Sequence, residues 1–187
     1  MEKGYVQVYT GDGKGKTTAA LGIALRCVCA GNRVFFGQFM KGQGSSEQRA
    51  VEYLPGFQIE QFGDLHFING EPSERDIKQA YSGLEKMKEV LLSGEYDMVV
   101  FDEINTAAAL GLIHSQDVLS ALECRPSHVE VILTGRYAPE EFKEYADKCG
   151  LSGDCVAIYD ENTYRATADR RPSVSKEIVL PPENLHA

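Results

Sequence analysis

Apolar residues recur along this chain in two rhythms. Tyr5-Val6-Gln7-Val8-Tyr9 alternates and is rich in β-forming side chains, the pattern of a strand. From Thr17 to about Ala30 the rhythm changes: Ala19, Ala20, Ile23, Ala24 and Cys27 recur at helical spacing, and Gly31-Asn32 closes the segment. Arg33 to Phe39 is a second apolar strand and Phe57 to Phe62 a third. Ser73 has the chemistry of a helix N-cap, with acidic Glu74 and Asp76 in the first turn. Behind it Ile77, Ala80, Tyr81, Leu84, Met87 and Leu91 share one face. Tyr96 to Phe101 is an apolar run that ends in Asp102-Glu103, and Val129 to Leu133 is another, followed by Thr134-Gly135-Arg136. Pro139 opens a helix that reaches about Lys148, and Val156 to Tyr159 is expected as the last strand of the core.

Strands thus alternate with helices, and several strands are apolar without alternation. That combination predicts an α/β fold with a mainly parallel sheet covered by helices on both faces. No internal repeat or low-complexity segment interrupts it. The pattern weakens after about Asp160, where charges and prolines surround one short apolar stretch, Ile178-Val179-Leu180. The expected organisation is a nucleotide-binding domain over residues 1–159 and a divergent C-terminal appendage over 160–187.

Composition adds boundaries. The 187 residues suffice for one domain with a core, and 43% hydrophobic with 25% charged residues is ordinary for a soluble protein. The formal charge of −9 argues against nucleic acid or an anionic membrane as partner, since both need clustered Lys and Arg. No apolar run approaches a membrane span, and the start Met1-Glu2-Lys3-Gly4 has no signal-peptide pattern, so a cytoplasmic protein is expected. The cysteines at 27, 29, 124, 149 and 155 include no C-x-x-C pair, so no zinc site of the usual spacing is expected and free thiols are.

The sharpest signal is Thr10-Gly11-Asp12-Gly13-Lys14-Gly15-Lys16-Thr17-Thr18, between a strand and a helix. Glycines let backbone N–H groups turn inward and approach phosphate oxygens, and the following helix points its positive end at the same place. Lys16 adds a point charge and Thr17 offers a hydroxyl to Mg²⁺. Residues 10–18 are therefore expected to bind a nucleoside triphosphate. Thr10 stands in the first Gly slot of the usual pattern and Lys14 adds a second cation, so the loop is a variant.

A phosphate loop needs a carboxylate for its metal shell, and Asp102-Glu103 at a strand end supplies one on the rim where open α/β sheets bind ligands. Arg136, just after another strand, is expected on the same rim. Lys16, Asp102, Glu103 and Arg136 are the candidate catalytic set, with Thr17, Glu103 and Asp102 around the metal. Lys41 and Arg49 are further candidates for facing the site. None of His66, His114, His128 and His186 has a ligand-spaced partner.

At this point the residues resemble a known family, the P-loop ATP:corrinoid adenosyltransferases. The likeness runs from the loop Thr10 to Ala20 through Gln38-Phe39-Met40-Lys41-Gly42 and Tyr96 to Glu103. It continues over Arg125-Pro126-Ser127-His128 and Leu133 to Pro139, spanning roughly residues 5 to 149. The resemblance implies a RecA-like P-loop fold, ATP and a reduced corrinoid as substrates, Mg²⁺ with the ATP, a homodimer, and a reductase that supplies electrons to cobalt. It implies that Co(I) attacks C5′ of the ribose while the triphosphate leaves whole. It places Phe62, Gly63, Phe67 and Lys41 near the corrinoid, Phe67 as the residue crowding the lower axial ligand. From the residues alone two other functions stay open: an ATPase or phosphotransferase, which the loop and Asp102-Glu103 would serve equally, and a non-catalytic module that binds ATP or an adenosylated corrinoid.

Overall fold

A computed structural model describes residues 3–42, 44–64 and 71–149, and the backbone of two strands further on, 156–160 and 176–180. Two compact units divide at residue 150. In the first, the order is β1 (Val6–Tyr9), α1 (Lys16–Cys29), β2 (Val34–Phe39), a 3₁₀ turn (Ser46–Arg49) leading into α2 (Ala50–Tyr53), and β3 (Phe57–Phe62). It continues with α3 (Glu74–Ser93), β4 (Met98–Asp102), α4 (Ile104–Ala109), α5 (Ser115–Glu123), β5 (Glu130–Thr134) and α6 (Glu140–Cys149). The strands form one five-stranded sheet in the order β1-β5-β4-β2-β3, and every pairing is parallel. This is the expected α/β arrangement, a P-loop NTPase-like sheet flanked by helices.

The unalternating strands have a simple cause. In β4, Val99 and Phe101 pack into one core cluster with Leu84, Met87 and Leu91 of α3 and Val118 and Leu122 of α5. Met98 and Val100 point the other way, against Ala20, Ala24 and Cys27 of α1. Both faces of the strand are buried, so every position but the last is apolar. Each large side chain withdrawn from water contributes about 1.5–3 kcal/mol, which is why these runs were the clearest strands in the sequence.

α3 starts as expected: the Ser73 hydroxyl accepts from the Asp76 N–H, and the Asp76 carboxylate accepts from the Ser73 N–H. It stops at Gly94 in the left-handed conformation. In the second unit, the strand expected at Val156 to Tyr159 forms as β6 (Val156–Asp160) but does not extend the five-stranded sheet. It pairs in parallel with β7 (Lys176–Leu180), Ile158 opposite Ile178 and Tyr159 opposite Val179. The one apolar stretch of the tail is thus its backbone partner.

The sheet order decides where the site lies. β1, which feeds the phosphate loop, and β4, which ends in Asp102, are not neighbours; β5 lies between them. All three strands run the same way, so their carboxyl ends bring the loop, the acidic pair and Thr134 to one rim.

Candidate functional site

The loop after β1 keeps its backbone open to an anion. Gly11 and Gly15 have φ of 128° and 113°, values that exclude a side chain without strain. Gly15 is the N-cap of α1, so no side chain caps that helix, and its first turn holds no acidic residue. α3, by contrast, is closed by Ser73 and carries two acids in its first turn. The uncapped N–H groups of α1 and its dipole are therefore left for a ligand. Asp12, Gly13, Lys14, Gly15 and Thr18 are exposed, Lys16 and Thr17 half-buried. Thr10, in the unusual slot, accepts a hydrogen bond from the Ala138 N–H at 3.2 Å and so ties the loop to the turn after β5.

Lys16 folds back on its own loop, Nζ donating to the carbonyls of Gly11 and Gly13, both at 2.7 Å. Its ammonium thus sits inside the curl of the loop. An open cleft of about 210 Å³ lies there, lined by Gly13, Lys14, Gly15, Lys16, Thr17, Glu103 and Arg136. Three cationic side chains, Lys14, Lys16 and Arg136, and the Glu103 carboxylate converge on it from three segments: the loop, the turn after β4 and the turn after β5.

Asp102 is placed differently from Glu103. Its side chain is fully buried and does not line the cleft. Oδ1 accepts from the hydroxyls of Thr17 (2.9 Å) and Thr134 (2.7 Å), and Oδ2 from Gln38 Nε2 (3.1 Å) and Lys41 Nζ (3.0 Å). A carboxylate buried with four donors is satisfied, which is the condition for burying one at all. Asp102 therefore reaches the cleft only through Thr17, whose oxygen it orients. Of the three residues expected around a metal, Thr17 and Glu103 line the cleft and Asp102 stands behind Thr17.

Lys41 pairs with Asp102 at 3.0 Å and, at 3.6 Å, with Glu47. Glu47 holds its proton less readily than an ordinary carboxyl. Burial acts to raise its pKa, but its hydrogen bonds with the backbone, Gln38 and Ser45 and the charge of Lys41 together outweigh that. Arg49 faces away, bonded to Glu52 and Tyr53.

Glu103 adopts φ 63°, ψ 14°, a left-handed conformation unusual for a residue with a side chain. Its N–H donates to Thr134 Oγ1 at 3.0 Å, and its Oε2 accepts from Thr106 Oγ1 at 2.6 Å. Gln38, Thr106 and Thr134 were not singled out from the sequence. Gln38 carried a signal, a lone amide in the strand Val34–Phe39 whose six positions are all buried. Thr134 and Thr106 carried none beyond their places after and before other candidates.

Of the residues linked by resemblance to the second substrate, Phe62 packs against Phe39 with ring centroids 5.4 Å apart and the planes tilted by 57°. With Gly63, it lines a small cavity beside Met40, Gln79 and Leu112. Phe67 lies outside the described residues. Among the described residues no three His, Cys, Asp or Glu side chains group as metal ligands, and Cys27, Cys29 and Cys124 are free thiols. No helix among them is long and apolar enough to cross a membrane.

Residues 2–154 match the model of the family described as ATP:corrinoid adenosyltransferase BtuR/CobO/CobP. The corrinoid adenosyltransferase CobA of Salmonella typhimurium is 34% identical over 146 residues, covering 78% of this chain and 74% of that protein. The corrinoid adenosyltransferase of a Sinorhizobium species is 35% identical over 150 residues, covering 78% and 70%. An uncharacterised protein of Nostoc is 37% identical over 159 residues, 77% of this chain but 42% of its own length, so the chain spans less than half of that relative. With the phosphate loop, the acidic strand end and the arginine turn in one cleft, the chain belongs to the ATP:corrinoid adenosyltransferase family.

Proposed function

We propose that this protein transfers the 5′-deoxyadenosyl group of ATP to the cobalt of a Co(I) corrinoid and releases the triphosphate whole. The observation that carries the reading is the cleft: an uncapped, acid-free helix N-terminus ringed by Lys14, Lys16 and Arg136, in a chain of this family. In the transfer a Co–C5′ bond forms from the cobalt electron pair, the C5′–O bond breaks, and its electrons leave on the triphosphate. The protein needs no nucleophile of its own. Its task is to bind a polyanion more tightly as charge grows on the leaving oxygen, and preorganised cations and N–H groups do that.

The donor chemistry of the cleft suits Mg²⁺, which takes one or two protein oxygens plus substrate phosphates and water. Thr17 and Glu103 would hold it. The Thr17 proton is committed to Asp102, which leaves the hydroxyl lone pairs for a cation. Bound there, the metal would supply charge neutralisation at the phosphates. Asp102 orients Thr17, and Arg136, which lines the same cleft, binds the triphosphate. Phe62 and Gly63 border the corrinoid. A homodimer, a reductase that delivers the electron to cobalt, and a cytoplasmic setting complete the reading.

The test is anaerobic mixing with ATP, Mg²⁺ and chemically reduced cob(I)alamin. A light-sensitive alkylcobalamin spectrum is expected. Tight ATP binding without that spectrum refutes the transferase. Formation of ADP and phosphate would then support a phosphotransferase, and binding without any turnover a delivery or sensing module.

A further inference from the structure

The residue that fixes Glu103 is not itself in the cleft. Glu103 follows β4 in a left-handed turn, and its side chain has several rotatable bonds; nothing about its own backbone aims its carboxylate. Thr106, one turn into α4, does. A hydroxyl has one proton, and Thr106 gives it to Glu103 Oε2 at 2.6 Å. Its oxygen accepts in turn from the Arg136 N–H at 2.8 Å. One side-chain atom therefore joins the turn after β4 to the turn after β5, the two turns that carry Glu103 and Arg136 into the cleft.

The neighbouring backbone is shaped to allow this. Gly135 has φ 136°, and a Cβ there would lie 2.7 Å from the Thr106 N and 2.8 Å from its Oγ1. The backbone after β5 comes this close to Thr106 because residue 135 has no side chain. Thr106 is also held on the correct rotamer from both sides, by an acceptor and a donor at once. With Oε2 engaged by Thr106, the second oxygen of Glu103 is the one left for the cleft.

We propose that Thr106 is the positioning residue for Glu103: through Oγ1 it sets the carboxylate that takes the Mg²⁺ of the bound nucleotide. The inference rests on the reading of the cleft as an Mg²⁺–ATP site, and it adds a residue that the motifs do not contain. Partners that orient a metal-binding carboxylate are typically worth about 10- to 100-fold in metal affinity. Valine at 106 keeps the shape and loses the donor; serine keeps the donor.

The experiment is a calorimetric titration of ATP into the full chain at a series of Mg²⁺ concentrations, with wild type, T106V, T106S, E103Q and the double variant T106V/E103Q. T106V should raise the half-saturating Mg²⁺ concentration about tenfold, while metal-free ATP binding, which feels only the lost acceptor of the Arg136 N–H, should weaken by no more than about threefold. T106S should restore the wild-type value to within about twofold. In the E103Q background the valine should add less than about twofold, since its effect runs through the carboxylate. An equal penalty in both backgrounds, a T106S as impaired as T106V, or an unchanged Mg²⁺ dependence in T106V overturns the proposal. These readouts use no corrinoid. A wild type that binds Mg²⁺ and ATP normally but never alkylates cobalt would refute the transferase reading and leave the Thr106 result standing.

Discussion

Replacing Thr134 by valine isolates the buried contacts behind the cleft. Thr134 is fully buried, and its hydroxyl donates to Asp102 Oδ1 at 2.7 Å while accepting from the Glu103 N–H at 3.0 Å. Valine has nearly the same shape, so no cavity opens. The loss of a hydrogen bond to a carboxylate costs about 1.5–3 kcal/mol, and the loss of the backbone bond about 0.5–1.5 kcal/mol. The added methyl returns about 0.8 kcal/mol. Asp102 keeps Thr17, Gln38 and Lys41, so it is not orphaned. The net expectation is a loss of about 2–3 kcal/mol. Urea unfolding followed by circular dichroism should show it as a midpoint lowered by about 1 M, for a slope near 2 kcal/mol per molar that does not change. Thr134→Ser, which keeps both bonds, should stay within about 1 kcal/mol of wild type. A valine variant within about 0.5 kcal/mol of wild type would show that the Asp102 cluster does not stabilise the strand ends, and the reasoning would fail.

Two other substitutions probe the rim separately. Lys16→Ala should weaken ATP binding by about 10- to 100-fold through loss of charge-assisted contacts to phosphate. It should hardly change the unfolding midpoint, because the carbonyls it now bonds lie in an exposed loop; calorimetry with wild-type affinity would overturn the placement of the loop. Glu47 has a folded pKa below its ordinary 4.5, so its favourable contribution is present above that pH and disappears as pH falls through the folded value. Glu47→Gln should therefore be less stable than wild type at pH 7, with the gap closing in urea titrations toward pH 3. A gap that does not change with pH would refute this assignment.

How far the sequence carried is a matter of range. β4 and β5 were readable because burial on both faces makes Met98–Phe101 and Val131–Leu133 apolar, up to the polar position that ends each strand at the rim; Glu130, which opens β5, is the buried exception. The loop was readable because its chemistry is local: every glycine and lysine that shapes it lies within nine residues. α4 and α5 escaped notice. The first is six residues, Ile-Asn-Thr-Ala-Ala-Ala, too short to show a period, and the second begins at Ser115 behind His114, which gives it no side-chain cap. The Asp102 cluster escaped for another reason. Gln38 and Thr134 sit at the ends of β2 and β5 and Thr17 in the first turn of α1, and they meet only through the order β1-β5-β4-β2-β3, which local patterns do not encode. The same applies to Thr106, whose partner Arg136 is 30 residues away. Lys41 was placed near the corrinoid by resemblance, and its pairing with the buried Asp102, 61 residues away in sequence, was not legible locally.

The central claim is that this cleft grips a triphosphate that departs whole, instead of a γ-phosphate that is passed on. It is tested most directly by counting products in one reaction, with phosphorus NMR for the nucleotide fragments and absorbance for the corrinoid. Wild-type protein with ATP, Mg²⁺ and cob(I)alamin under anaerobic conditions should give one triphosphate for each alkylcobalamin formed, with no ADP. Consumption of ATP to ADP and phosphate, with cobalt left unalkylated, would contradict the account.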